Sequence, residues 1–289
     1  MPRPESAHSL NHHSTITNSD MELLEYTFFR NALISVFILS IASAIIGTYI
    51  ITRRMVAISG GVTHACFGGL GLGYYMGVNP LVTAALFAIG SSIGVEWLAD
   101  RHRVREDSAI AVVWSVGMAI GVICVFMTPG YVPELNSFLF GNILTITNND
   151  LIAFGAYTLV LVLFYAVYGK RIIICAFDRD FARVSGLPVR FINYTMTILV
   201  AVCIVLTIRL VGIMLLMSML SLPQMTAEIF CNKFRNIVRV SAVLSVATSV
   251  AGLMLSTLGD VPCSAIIVAM MATLFFAGRL VKSLLANKR

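Results

Sequence analysis

Apolar runs, each long enough to cross about 30 Å of hydrocarbon as an α-helix, follow one another along this chain from residue 31 to residue 281. With no water in the hydrocarbon, a spanning segment must pair its own backbone groups, and a helix does so within itself. The runs read as 31–52, 59–77, 80–99, 108–127, 150–168, 191–208, 210–226, 238–257 and 263–281. The expected fold is therefore all-α, a polytopic helical membrane bundle of about nine transmembrane helices. Only Arg209 separates the sixth run from the seventh, so a single long or broken helix is open there, and the count ranges from about eight to about ten. Composition agrees with this class: 12% of residues are charged and 58% hydrophobic, whereas soluble domains carry about a quarter charged residues. Residues 26–285 are expected to form one membrane domain, after a disordered or interfacial extension at 1–25 and before a cytoplasmic tail at 286–289.

A formal net charge of +6 invites a nucleic-acid reading, but Lys and Arg sit in short clusters between apolar runs rather than on one face. No nucleic-acid partner is expected; the surrounding partner is membrane lipid. The clusters are Arg53 and Arg54, then Arg101, Arg103 and Arg105, then Lys170 to Arg190, then Lys233, Arg235 and Arg239, then Lys282, Lys288 and Arg289. They occupy alternate connections, which the positive-inside rule makes cytoplasmic. The turn at 77–80, the loop at 128–149 and the turn at 258–262 carry no Lys or Arg and fall outside. The N-terminus is expected outside and the C-terminus inside. Residues 1 to 20 lack the apolar core of a secretory signal, and Met21 reads as an alternative start. His8, His12 and His13 in that extension have no fixed geometry for a metal. The six cysteines are scattered without a CxxC pair, which argues against a disulfide framework or a zinc knuckle.

The stretch Arg53 to Gly77, "RRMVAISGGVTHACFGGLGLGYYMG", places His64 roughly 10 Å past the membrane boundary at about 1.5 Å per residue. An ionisable group at that depth usually faces a bundle interior, a polar cavity or a transport path. His64, with Thr63 and Cys66, is the candidate metal-ligating set; the alternative is a histidine hydrogen-bonded within a packed bundle. The glycine spacings Gly69, Gly73 and Gly77, Gly90 and Gly94, and Gly117 and Gly121 read as close helix packing. "GGLGLG" is not a phosphate loop, and no GxxxxGK[ST] occurs, so the chain does not bind ATP by itself.

Glu96 is expected to pair with arginines or cap the bundle, and Asp107 and Ser108 to cap the fourth helix. Arg209 and Asp260 are placed at the outer surface. Met214, Met217 and Met219 read as adaptable packing. Two inner segments exceed a simple turn. "FDRDFARVSGLPVR" (177–190) predicts a short amphipathic helix with Phe181 and Val184 on one face and a Gly-Leu-Pro stop. "LPQMTAEIFCNKFRN" (222–236) is expected to leave the membrane through Pro223. Each is either a solvated connection or a docking surface.

Taken in order, these motifs resemble the permease subunit of the ATP-binding-cassette importers for zinc, manganese or iron. "RRMVAISGGVTHACFGG" is similar to that family's second-helix motif, "VREDSAIA" to its "LREDTAIG", and "FGN" at 140–142 to its outer loop. "FDRDFARVSGLP" is similar to its coupling segment, "GIMLLMSMLSLPQMTA" to its "GxxLxxxLLxLPxxTA" helix, and "LGDVPCSAIIV" to the start of its last helix. The resemblance covers about 26–285. It implies an importer in the bacterial inner membrane: two permease copies form the path, two cytoplasmic ATPase subunits dock below, and an extracytoplasmic binding protein delivers the metal. The chain would then be a transport subunit rather than an enzyme, with the divalent metal as substrate and no permanently bound cofactor. The stroke is expected to pass through Phe177, Asp178, Phe181, Ala182, Gly186 and Pro188.

One departure concerns the cargo. The family usually has an Asp four residues before its His, on the same helical face; here that position is Gly60, and Gly68 replaces a Pro. The metal is therefore left open among zinc, manganese and iron. A permease for iron chelates or cobalamin, or an ATP-independent secondary transporter, are the rival functions. An intramembrane enzyme is disfavoured because HExxH, paired intramembrane Asp residues and GxSxG are all missing from the sequence.

Overall fold

The structure, a computed structural model, describes residues 27–102, 104–129, 146–259 and 261–286. Among them the chain forms α1 (Thr27–Thr52), α2 (Ala57–Met76), α3 (Pro80–His102), α4 (Glu106–Met127) and α5 (Asn148–Phe177). It continues with α6 (Arg179–Val184), α7 (Val189–Met219), α8 (Leu222–Phe230), α9 (Phe234–Gly259) and α10 (Cys263–Ala286). No strand occurs among the described residues. The extension at 1–25 with its histidines, the loop residues Glu134 and Phe140 to Asn142, and Asp260 lie outside them.

Among the described residues seven helical stretches are long and apolar enough to cross a membrane. α2 is not one of them, because glycine dilutes its apolar content, yet its 20 residues span about 30 Å. Nearly every residue from Ile58 to Gly73 is buried. Its neighbours shield it from lipid, so low hydropathy is tolerated. α1 and α7 supply most of the remaining interior, with Leu39, Ile46, Ile50, Ile192, Met196, Ile204 and Leu210 fully buried against Phe154 and Leu161 of α5. α4, α5 and α10 instead expose apolar side chains such as Phe126, Val167 and Phe276, as helices facing hydrocarbon do.

Between helices in lipid the driving force is close packing rather than water exclusion, and α2 shows it. A Cβ on Gly71 would lie 2.5 Å from the carbonyl oxygen of Gly121 in α4, and one on Gly121 would lie 2.6 Å from that of Phe67. The Gly69 face of α2 meets Thr83 and Ala84 of α3 equally closely. α2, α3 and α4 therefore form one tight unit. The Gly90 and Gly94 pair differs from the expectation: nothing approaches either position within 4 Å, so that stripe faces open space on α3.

The expected boundary near Arg209 falls instead at Gly212, whose φ of 81° and ψ of 171° interrupt α7. Positive φ costs glycine nothing and any other residue about 1 kcal/mol or more. A second correction concerns 222–236. Pro223 does not lead the chain out of the bundle; it occupies the first turn of α8, and Pro223, Gln224, Thr226, Ala227 and Ile229 are buried. A proline costs nothing there because the first-turn N–H has no helical partner anyway. Gln224 Nε2 donates to the carbonyls of Ser43 at 2.8 Å and Met219 at 3.0 Å, tying α8 to the middle of α1. Lys282 Nζ closes the other end of α8 on the Ile229 carbonyl at 2.7 Å.

Candidate functional site

The residues expected to hold a metal do not converge within one chain. Thr63 is fully buried and its hydroxyl donates to the Ser59 carbonyl. Thr63 and Cys66 line a small cavity of about 20 Å³ between α2, α3 and α7, together with Leu81, Val205 and Ile213. Three residues apart on a helix, they share a face. His64 points elsewhere. Its ring lies parallel to the Trp114 indole of α4, with centroids 4.6 Å apart and planes 2° from parallel, and its buried Nδ1 has no hydrogen-bond partner. Trp114 is 40% exposed, so this pair stands at the edge of the bundle rather than in its centre.

One turn before His64, a Cβ on Gly60 would sit 3.1 Å from Met217 Cε. Met217 thus fills the space a longer side chain would need. Met214 of the same segment is exposed, and Met219 is buried. Among the described residues no three His, Cys, Asp or Glu side chains group as a metal site.

The residues expected to carry the stroke, in contrast, lie together on one short segment. Asp178 caps α6 by accepting from the Phe181 N–H at 2.9 Å, which satisfies one of the orphan donors of a helix start. The helix lasts only Arg179–Val184 because Gly186 takes φ 72° and Pro188 then stands at the N-cap of α7. Ala182 is buried, while Phe177, Phe181 and Val184 are 65%, 59% and 90% exposed. Phe177, Phe181 and Val184 thus form an exposed apolar patch at a charged end of the molecule.

Behind this helix lies a set of charged groups that sequence reasoning touched only through Glu96. Arg179 Nη2 reaches Glu96 Oε1 and Glu106 Oε1, each at 2.9 Å. From the other side Arg53 Nη2 meets Glu106 Oε1 at 2.7 Å, and Arg53 Nη1 meets Glu96 Oε2 at 3.4 Å. The Arg53 and Glu96 side chains are each 3% exposed. Arg183 Nη2 binds Asp100 Oδ1 at 2.5 Å. Glu106 therefore does more than begin α4, whose N-cap, Arg105, makes no side-chain capping bond; the expected cap at Asp107 and Ser108 is not what starts the helix. The signal available beforehand was that Arg53, Glu96, Asp100, Glu106, Arg179 and Arg183 all flank connections at one end of the chain's topology. At the opposite end Arg209 Nε pairs with Asp150 Oδ1 at 2.6 Å, beside the Thr147 capping box that opens α5.

A profile of the ABC 3 transport family matches residues 25–282. The chain is 33% identical over 257 residues to a Chlamydia trachomatis protein named a probable metal transport system membrane protein, with 87% of this chain and 88% of that one covered. It is 29% identical over 254 residues to the manganese transport system membrane protein MntC of Listeria innocua, covering 88% of this chain and 90% of that one. Among solved structures, PsaBC from Streptococcus pneumoniae in complex with Fab is similar with a TM-score of 0.78 at 26% identity, over 91% of this chain and 95% of that chain. With its fold, its glycine-packed inner helix and its match over nearly the whole length, this chain belongs to the ABC 3 transport family.

Proposed function

We propose that this chain is the membrane permease of an importer that moves a divalent metal ion into the cytoplasm, driven by a separate ATPase. The observation that carries the reading is α6: a six-residue helix that offers Phe181 and Val184 outward beside Phe177 at the end of α5, while salt bridges bind its other side to the bundle. A chain without a phosphate loop of its own and with such a surface is suited to be driven by a docked ATPase. The basic connections share the α6 end, since Arg53 and Arg179 meet there; by the positive-inside rule that end is cytoplasmic, with the N-terminus outside.

A second copy of the chain completes the path. This is supported by the half-exposed Trp114 beside His64 and by the exposed Met214, which leave the edge of α2 open where a partner copy would face it. An extracytoplasmic binding protein supplies the cargo at the Arg209 end. Within the bundle His64 acts as a transit ligand, a role that suits a path which must release what it binds. Manganese is the first cargo to test, because the Listeria relative is named for it.

The experiment is reconstitution in liposomes with the cognate ATPase and binding protein, followed by ATP-dependent uptake of manganese(II), zinc(II) and iron(II). Uptake of one of them that requires ATP and both partners is expected. Metal uptake by this chain alone without ATP would overturn the reading.

A further inference from the structure

If α6 receives the ATPase stroke, something must carry its movement into the bundle. The helix holds to its own chain by few apolar contacts: among its residues only Ala182 is buried, while Phe181 and Val184 point away. Its firm attachments are ionic and lead to α3 and α4. Arg179 bridges Glu96 of α3 and Glu106 of α4 at 2.9 Å each, and Arg183 holds Asp100 of α3 at 2.5 Å. On the far side Arg53, at the end of α1, completes a neutral set of two guanidiniums and two carboxylates.

Burial sharpens the argument. Arg53 and Glu96 are withdrawn from water, where charge–charge forces are less screened. Taking such groups out of water is costly, and a buried ion pair often stabilises no more than apolar residues of the same shape. Stability alone gives no reason to keep Arg53 and Glu96 charged here. Their geometry gives one. α3 and α4 are locked to α2 through the backbone approaches at Gly69, Gly71 and Gly121, so a displacement applied at Glu96 and Glu106 shifts α2 as well, and with it the stacked His64 and Trp114.

We propose that the Arg179, Glu96, Glu106 and Arg53 cluster is the mechanical link through which α6 moves the α2–α3–α4 unit, with Arg179 and Glu96 as positioning residues for transport. They hold the stroke in register and do not touch the cargo. The Asp100–Arg183 pair is a second, outer tie of the same link. The inference rests on the permease reading above and adds the route by which the two ends communicate.

The test uses the complete importer in liposomes, with ATP hydrolysis and uptake of manganese(II), zinc(II) or iron(II) followed in the same vesicles. Arg179→Met and Glu96→Gln are each expected to lower the metal ions moved per ATP by about tenfold, the size of a typical coupling between sites. Because these variants touch a buried cluster, the outer pair provides an independent arm. Asp100→Asn and Arg183→Gln singly lower the ratio about threefold, and the double variant lowers it no further than either alone, as expected of one tie. An unchanged ratio in Arg179→Met, hydrolysis and uptake that fall in parallel, or Asp100→Asn and Arg183→Gln effects that simply add in the double variant overturns the link. The absence of ATP-dependent uptake by the unaltered importer would instead overturn the permease reading itself.

Discussion

His64 lies flat on Trp114, its Nδ1 buried without a hydrogen-bond partner. The ring is thus held by stacking, and its Nδ1 is not committed to a bond within the chain. Replacing His64 by Ala is expected to reduce metal uptake by about tenfold or to change the preference among manganese, zinc and iron, with little effect on insertion. Trp114→Leu should do the same more weakly, because it frees the ring without removing it. Uptake measured across the three metals decides; unaltered rate and preference in His64→Ala would make the residue a packing element.

Gly186 occupies the left-handed region at φ 72° with no atom within 4 Å of where a side chain would begin. Substitution therefore acts through the backbone alone. Gly186→Val is expected to strain the turn by about 1–2 kcal/mol and to tilt α6, lowering transport per ATP while the permease remains in the membrane. Wild-type coupling in this variant, measured as uptake against hydrolysis, would remove Gly186 from the stroke.

The α2–α4 contact offers a cleaner contrast. Gly71→Ala places a methyl 2.5 Å from the Gly121 carbonyl, and overpacking of this kind destabilises by about 1–3 kcal/mol. Gly90→Ala, which meets nothing within 4 Å in the interior of α3, should leave stability unchanged or raise it by up to about 1 kcal/mol. Thermal unfolding of the two variants in detergent checks the pair; equal midpoints would contradict the packing account.

Gln224 ties α8 to the Ser43 and Met219 carbonyls from a fully buried position. Gln224→Leu removes both bonds and leaves the two acceptors without that donor, at about 1–3 kcal/mol. A lowered unfolding midpoint is expected, and retained stability would mean that the carbonyls find other partners.

Much of this was legible in advance for a simple reason. Hydrophobic run length, basic clusters and turn residues act locally, so the helices from α1 to α4, the start of α5, the short α6 and its Gly186 stop could be read from the sequence. The motif resemblance led to the same family that the profile match identifies. The reading failed where local signals conflicted with burial. Pro223 looks like an exit, yet α8 continues in the interior because Gln224 has carbonyls to bond. Arg209 looks like a helix boundary, yet the chain breaks at Gly212, where glycine alone relaxes into φ 81°. The 30-residue α5 runs past Lys170 and Arg171, since long cationic side chains reach water from a helix end.

The sequence by itself determined that this is an all-helical membrane protein, which connections share an end, and that no ATP loop of its own drives it. Only the tertiary structure decided which polar groups meet. Thr63 and Cys66 share the face of α2 that meets α3 and α7, whereas His64, one residue on and turned by about 100°, stacks on Trp114 of α4. Arg53, Glu96, Glu106 and Arg179 are separated by 43, 53 and 83 positions along three of the four ion pairs that join them. They converge because close backbone packing brings four helix ends to one place, a property of the assembled bundle that no local pattern encodes.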